Sequence, residues 1–315
     1  MKRYPALAAM GVVIMTGCAT TYRAGAPDGG IDVIAHRGAS AYAPENTLAA
    51  FALAAEQGAD WFELDCTLTK DGEVIVIHDD DIERTTDRKT KEKVADLTLE
   101  ELKTLDAGLW KDPKFAGERL PTLAEALDLA KGRIGVYIEI KNSANDERLI
   151  GEIMGMWGDC DKLSPKMWRK MMNLIQENGT RNLELTRKVI DLVRERQMKQ
   201  QVVLQSFSPI VCAIALEEAP DLRTEFLAAK DEKKPERWPL VLRWEKLLNA
   251  HGFNIDLDSL DPDLVARVHG ERHSMAIWTV NEEADMRRVV EWGVDGIITN
   301  VPDVCLRVLK EMGKH

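Results

Sequence analysis

The sequence predicts an α/β chain folded as a (β/α)8 barrel, and three observations carry that prediction. From Ile31 onward, nine short β-branched or aromatic runs alternate with helical patterns, which favours a parallel sheet. Two of the runs are joined only by Lys70-Asp71-Gly72-Glu73. Asp-Gly is a hairpin signal, and so short a link cannot cross over to a parallel neighbour. Setting the returning arm of that hairpin aside leaves eight strands, enough to close a barrel. Finally, the strand runs turn polar on one face near their C-terminal ends, where barrels keep their chemistry. An open doubly wound sheet is the alternative architecture.

The first run, Ile31–Arg37, leads to the helical pattern Thr47–Gln57. Trp61–Thr69 and Val74–His78 form the hairpin, followed by helices over Leu99–Leu105 and Leu123–Lys131. Gly135–Lys141 precedes Leu185–Gln197, Val202–Phe207 precedes Ile210–Ala219, and Arg223–Leu227 precedes Trp244–His251. Phe253–Asp258 with Pro262–His269, Met275–Val280 with Glu282–Trp292, and Gly296–Thr299 with Val304–Lys310 complete the set. About sixty residues separate Lys141 from Val202, where one helix and two loops need roughly half as many. The excess, an insertion over about 142–184, carries Met154, Met156, Trp157, Met167, Trp168, Met171 and Met172. It is read either as a lid of soft apolar side chains or as an amphipathic helix pair on the outside of the barrel.

The chain has 315 residues, is 45% hydrophobic and 30% charged, and carries a net charge of −11. That composition excludes disorder, collagen-like repeats and a disulfide-dense miniprotein, and its acidity argues against a nucleic-acid partner. Lys2 and Arg3, the apolar run Ala6 to Met15 and then Thr16-Gly17-Cys18 have the layout of an export signal. Small residues directly before Cys18 resemble a bacterial lipoprotein signal, which implies cleavage after residue 17 and lipidation of Cys18. The reading is then a signal at 1–17, a tether at 18–30 and a single barrel domain at 31–315. The protein is expected in the bacterial cell envelope, lipid-anchored to a membrane and facing the periplasm or the cell surface. Cys66, Cys160, Cys212 and Cys305 are scattered without a C-x-x-C pair; they suggest no zinc site and fix no disulfide pairing.

The polar strand ends converge. Glu63 and Asp65 share one face of their strand, Glu139 and Lys141 share a face of theirs, and His36 with Arg37 ends the first strand. If the hairpin turn centres between Lys70 and Asp71, paired positions sum to 141 and His78 falls opposite Glu63. Three clustered carboxylates repel unless a cation joins them, and oxygen-only donors suit Mg²⁺ or Ca²⁺. Arg37 and Lys141 are placed to clamp an anionic substrate. His36 and His78 suit proton removal and donation near neutral pH. Metal, cationic clamp and acid–base pair together describe phosphoryl transfer.

The motifs around these residues resemble the glycerophosphodiester phosphodiesterases. They are Ile34-Ala35-His36-Arg37-Gly38, Ala43-Pro44-Glu45-Asn46-Thr47, Glu63-Leu64-Asp65, His78-Asp79, Arg84-Thr85-Thr86 and Leu120-Pro121-Thr122-Leu123. Ile138-Glu139-Ile140-Lys141, Gln205-Ser206-Phe207, Trp278-Thr279-Val280-Asn281 and Asp295 through Asn300 continue the series in order. The resemblance implies a (β/α)8 barrel that hydrolyses glycerophosphodiesters to glycerol 3-phosphate and an alcohol. By the same resemblance His36 and His78 are the acid–base pair, and Glu63, Asp65 and Glu139 bind one divalent metal, Ca²⁺ or Mg²⁺. Arg37 and Lys141 then contact the phosphate, with Phe207 and Trp278 near the substrate. The alternatives are a phospholipase D-like enzyme acting on lysolipids or sphingomyelin, and a catalytically silent surface-binding lipoprotein.

Overall fold

The computed structural model describes residues 30–142, 146–158, 160 and 162–315. The expected signal, Cys18 and most of the expected tether lie outside the described residues. Among the described residues there are nine strands: β1 (Asp32–Ala35), β2 (Trp61–Leu68), β3 (Val74–Val76), β4 (Gly135–Ile140), β5 (Val202–Ser206), β6 (Arg223–Ala228), β7 (Gly252–Asp256), β8 (Ala276–Trp278) and β9 (Gly296–Thr299). The helices are α1 (Leu48–Gln57), α2 (Leu99–Lys103), α3 (Leu123–Ala130), α4 (Glu147–Trp157), α5 (Pro165–Asn178), α6 (Arg181–Glu195), α7 (Pro209–Glu218), α8 (Trp238–Leu248), α9 (Pro262–Gly270), α10 (Glu283–Trp292) and α11 (Pro302–Glu311).

The strand order β1-β9-β8-β7-β6-β5-β4-β2 closes on itself through β1–β2 pairing, and β3 lies outside as the antiparallel partner of β2. The eight barrel strands are parallel, so the barrel expected from the strand count is the observed one. Side chains alternate across each strand. Outward ones such as Phe62, Leu64 and Phe253 meet the helices in the main core, where Phe51 of α1 stacks on Phe62 at 4.2 Å. Inward ones at the lower end form a separate plug of Ile34, Trp61, Tyr137, Val203, Ala276 and Ile298. Beside this plug the interior is polar. Glu225 takes bonds from Arg223 Nε at 2.6 Å, Asn254 Nδ2 at 2.6 Å and Ser274 Oγ at 3.3 Å, and the Asn254 amide also reaches Gln205 Oε1 at 3.3 Å.

The hairpin register differs from expectation. Cys66 pairs with Val76 and Leu68 with Val74, so partners sum to 142 rather than 141. The loop is the cause: Thr69 N–H donates to the Glu73 carbonyl at 2.9 Å and Gly72 N–H to the Thr69 carbonyl at 3.1 Å. Three residues therefore form the turn, and Gly72 closes it in the left-handed region at φ 81°. The chain after β3 builds a satellite core of Ile75, Ile77, Ile82, Val94, Leu97, Leu102, Leu105 and Leu120. Thr98 and Thr122 open α2 and α3 with reciprocal capping boxes to Glu101 and Glu125.

The described residues of the insertion are mostly helical. Leu149, Ile153, Met154 and Trp157 of α4 and Met171, Met172 and Ile175 of α5 are buried in the main core outside the barrel wall. The soft apolar residues are thus the inner stripe of a helix pair, as in the second of the two readings. α8 begins at Trp238, ahead of the expected Trp244, because Pro239 sits in its first turn, where the missing N–H has no cost. The four described cysteines are unpaired; Cys66, Cys212 and Cys305 are buried in the main core.

Candidate active site

The C-terminal ends of β1, β2 and β4 gather the acidic set. β2 and β4 run in register with Asp65 beside Glu139, which places their inward carboxylates on neighbouring strands roughly 5 Å apart. One oxygen each from Glu63, Asp65 and Glu139 lies within 4.8 Å of the others, and all three residues are buried. Burial first, then the charges of Asp65 and Glu139, pushes the Glu63 carboxyl well above its ordinary range. Burial and the Asp65 charge likewise raise Glu139 to about 7, against the pull of Lys141. Asp65 differs: burial opposes its ionisation, but Arg37, Lys141, His78 and an Asn46 hydrogen bond outweigh it and hold the group low. Two of three carboxyls are therefore under-compensated by the protein's own cations, an arrangement compatible with a divalent cation.

Arg37 is held by its backbone as much as by its side chain. It lies in the left-handed region at φ 54° and is followed by Gly38 at φ 81°. A Cβ on Gly38 would sit 2.6 Å from the backbone of Ala50, so this bend needs glycine on two counts. The bend turns the Arg37 N–H onto Glu63 Oε2 at 2.9 Å. Its guanidinium then reaches Glu45 Oε1 at 2.8 Å and stands 3.2 Å from Asp65 Oδ2. Lys141 Nζ lies 2.9 Å from Glu139 Oε1 and 3.5 Å from Asp65 Oδ1. Both cations raise their pKa by these partners in spite of burial.

The histidines flank the acidic set. His36 Nδ1 bonds Asn300 Oδ1 at 2.7 Å, and Ser40 Oγ donates to the same oxygen at 2.9 Å. Burial, followed by the Arg37 charge, lowers His36 to about 4, with the Asn300 bond working against the shift. His78 Nδ1 bonds Asp79 Oδ1 at 2.7 Å. In the observed register His78 would face away from Asp65 if β3 continued. The strand instead ends at Val76, and the departing chain returns His78 close enough for its charge to act on Asp65. Each ring uses Nδ1 for orientation, and no described protein group bonds either Nε2.

Phe207 and Trp278 meet edge to face at 5.4 Å, joining the ends of β5 and β8, and Phe207 is 41% exposed. They are two apolar side chains at the same C-terminal end of the barrel as the acidic set, and Cys18 lies outside the described residues. Residue reasoning missed a second ring of partners. Asn46, at φ 57°, donates from Nδ2 to Asp65 Oδ2 at 2.9 Å and accepts the Asp65 N–H at 3.2 Å. Arg84 joins Glu45 at 2.7 Å to Asp79 at 2.6 Å. Burial pushes Asp79 up, but the hydrogen bonds from Arg84 and His78 outweigh it and hold that carboxyl at about 2. The available signal was Glu45-Asn46 and Arg84 inside the recognised motifs; their spacing alone points nowhere.

Comparison with known proteins bears on this arrangement. The sequence model of the glycerophosphoryl diester phosphodiesterase family matches residues 36–156 and 153–304. A glycerophosphodiester phosphodiesterase of Caldanaerobacter subterraneus is 35% identical over 283 residues, covering 89% of this chain and 98% of its own. An Oleispira antarctica phosphodiesterase, solved in complex with the product sn-glycerol-3-phosphate, superimposes with a TM-score of 0.69 at 25% identity, covering 89% and 97% of the two chains. A glycerophosphodiester phosphodiesterase of Agrobacterium tumefaciens gives 0.64 at 28% identity, covering 88% and 99%.

Proposed function

The chain belongs to the glycerophosphoryl diester phosphodiesterase family, and from that premise we propose how its rim residues hydrolyse glycerophosphodiesters to sn-glycerol 3-phosphate and an alcohol. The observation that supports the reading best is the pairing of an over-acidic carboxylate triad with two histidines whose Nε2 atoms remain available. Glu63, Asp65 and Glu139 offer only oxygen donors, which suit Ca²⁺ or Mg²⁺. Such a cation supplies Lewis-acid polarisation of phosphate and alcohol oxygens.

The chain's own residues do the remainder. Arg37 and Lys141 neutralise the diester phosphate, Arg37 from a backbone bend that fixes its direction. One histidine takes the proton of the glycerol 2-hydroxyl as that oxygen attacks phosphorus, and the other gives a proton to the departing alcohol. The two rings exchange roles when water opens the resulting cyclic phosphate. An internal nucleophile lowers the entropic cost of the first step. Phe207 and Trp278 line the mouth where the leaving alcohol departs. Asn300 and Asp79 hold the two rings by Nδ1, so each proton is exchanged at Nε2.

The envelope location and lipid anchor on Cys18 are part of the same proposal, supported by Lys2, Arg3, the apolar run and Thr16-Gly17-Cys18. Mass spectrometry of the membrane fraction tests it; an unmodified, freely soluble Cys18 form would remove the anchor. The activity is tested by release of glycerol 3-phosphate from glycerophosphocholine. The expected result is full loss with chelator and recovery with Ca²⁺ or Mg²⁺. Undiminished release in chelator would overturn the metal assignment.

A further inference from the structure

A second cluster that the hydrolysis does not use lies at the opposite end of the barrel. Glu245 sits near the end of α8, Glu271 ends α9, and His273 follows two residues later, just ahead of β8. Parallel barrel strands all start on one face, so the turn into β8 lies on the face away from His36 and His78. One donor atom from each of Glu245, Glu271 and His273 lies within 4.8 Å of the others.

The buried member is the informative one. The Glu245 side chain is 3% exposed. Its Oε2 is 3.1 Å from Arg267 Nη1, and the same Nη1 is 2.9 Å from Glu271 Oε2. The other oxygen, Glu245 Oε1, is buried with no hydrogen-bond partner. It faces His273 Nδ1 at 3.8 Å, too far for a hydrogen bond. That spacing suits two donors on one ion, since ligands about 2 Å from a shared metal stand roughly 3–4 Å apart. Arg267 engages the outer oxygens of both carboxylates, the place where partners of metal-ligating carboxylates usually bind. Two carboxylates against one guanidinium also leave a net negative charge around the buried Glu245, which calls for a cation. The chain bends for this arrangement: Arg272 takes φ 67°, and the helix-ending bond from His273 N–H to the Val268 carbonyl at 3.1 Å folds His273 back over α9.

We propose that Glu245, Glu271 and His273 bind a divalent transition metal of the Zn²⁺ class, fastening α8 to the turn between α9 and β8. The donor chemistry separates this site from the rim. Glu63, Asp65 and Glu139 offer oxygen alone and suit hard cations, whereas one imidazole nitrogen with two carboxylates suits zinc. Three protein donors leave a fourth position for water, and the structural role rests on position: the three side chains join α8 to the turn between α9 and β8, at the end of the barrel away from the rim.

The test is zinc content per chain after equilibrium dialysis of the full-length protein against Zn²⁺, measured by elemental mass spectrometry. The unsubstituted protein, His273→Ala, Glu271→Gln and Glu245→Gln are compared, with Asp65→Asn included to weaken the rim cluster. The expected result is one zinc fewer per chain, or at least tenfold weaker binding, in each of the first three variants. Asp65→Asn keeps that zinc, and His273→Ala retains glycerophosphocholine hydrolysis in Mg²⁺ within about twofold, ligand loss being the larger perturbation. Zinc content and affinity unchanged by both His273→Ala and Glu271→Gln would overturn the proposal. Those two residues are half-buried and exposed, so the outcome can be read even if Glu245→Gln folds poorly.

Discussion

Glu139, near the end of β4, and Glu225, near the start of β6, stand in one cross-strand register through Gln205 of β5, and their surroundings could hardly differ more. Both point inward and both are buried, at 8% and 1% exposure. Glu225 has a donor on each oxygen, from Arg223 and Ser274 on one and Asn254 on the other. Glu139 has Lys141, which it shares with Asp65, and two further carboxylates complete its neighbourhood. The lower group is a closed network of the kind that fixes a structure. The upper one leaves Glu63 and Glu139 under-compensated, an arrangement compatible with a divalent cation from outside. A shared residue type, an inward direction and burial therefore carry no functional meaning by themselves; the balance of donors around the carboxylate does.

The sharpest way to break this comparison is to substitute each network and read both activity and stability. Within the rim, His36→Ala or Glu139→Gln is expected to lower turnover of glycerophosphocholine by about 10³-fold, the scale of a lost acid–base or metal-ligating group. Glu139→Gln should leave the melting temperature of chelated protein unchanged or raised, because it removes one of three crowded charges. Glu225→Ala should do the reverse. It removes the carboxylate that Arg223 and Asn254 share, leaving them, among the described residues, only Ser274 and Gln205 as side-chain partners, and is expected to cost about 3 kcal/mol in urea unfolding, the low end for a broken buried ion pair because Arg223 is 27% exposed. The folded fraction should keep its turnover within about threefold. If Glu225→Ala abolished activity at full stability, the division between the two networks would fail.

A pH series sharpens the contrast next. Glu63 and Glu139 have folded-state pKa values above their unfolded ones. The folded chain without metal therefore holds more protons than the unfolded chain across the window from about 4.5 to about 7 for Glu139. Stability from this pair is present below that window and is lost as pH rises through it. His36, lowered to about 4, acts in the opposite sense, since the unfolded chain binds its proton between about 4 and 6.5. The His36 variant isolates the carboxylates: in chelator its melting temperature should fall by several degrees from pH 5 to pH 7.5. Added Ca²⁺ or Mg²⁺ should raise it most at pH 7.5, with release of protons. A flat profile in chelator would mean that the triad is already neutralised by Arg37 and Lys141.

Much of the barrel was legible because its signals are local. β-branched runs, helical periods and an Asp-Gly turn report on neighbours in sequence, and the eight-strand closure follows from counting them. Glu63, Asp65 and Glu139 were legible because charge on an inward face breaks the apolar pattern. The register of the hairpin was not, since two- and three-residue turns share the Asp-Gly signal and only the left-handed Gly72 decides between them. Glu45, Asn46, Arg84 and Asn300 were invisible as roles because each has a contact spanning between 19 and 264 residues: Asn46 to Asp65, Arg84 to Glu45, and Asn300 to His36. The cluster at Glu245 and His273 was hidden for the same reason. Neither residue breaks a pattern, and only packing of α8 against α9 brings them together.

Arg84 provides the finest test, because it touches neither the carboxylate triad nor a histidine. It binds Asp79 through Nε at 2.6 Å and Nη2 at 3.1 Å, and Glu45 through Nη1 and Nη2 at 2.7 and 2.8 Å. Asp79 orients His78, and Glu45 orients Arg37. In the proposed mechanism, one guanidinium thus couples the direction of a proton carrier to that of a phosphate clamp. Its side chain is 44% exposed, so stability should barely change on Arg84→Ala. Turnover should fall by about tenfold with a smaller change in KM, because a wandering imidazole harms the proton transfer more than phosphate binding. Arg84→Lys can replace one bond but not a four-bond fork and should recover only part of the loss. Equal activity in both variants would show that His78 and Arg37 are held by the acidic residues alone, and that the rim tolerates a gap where the lower network does not.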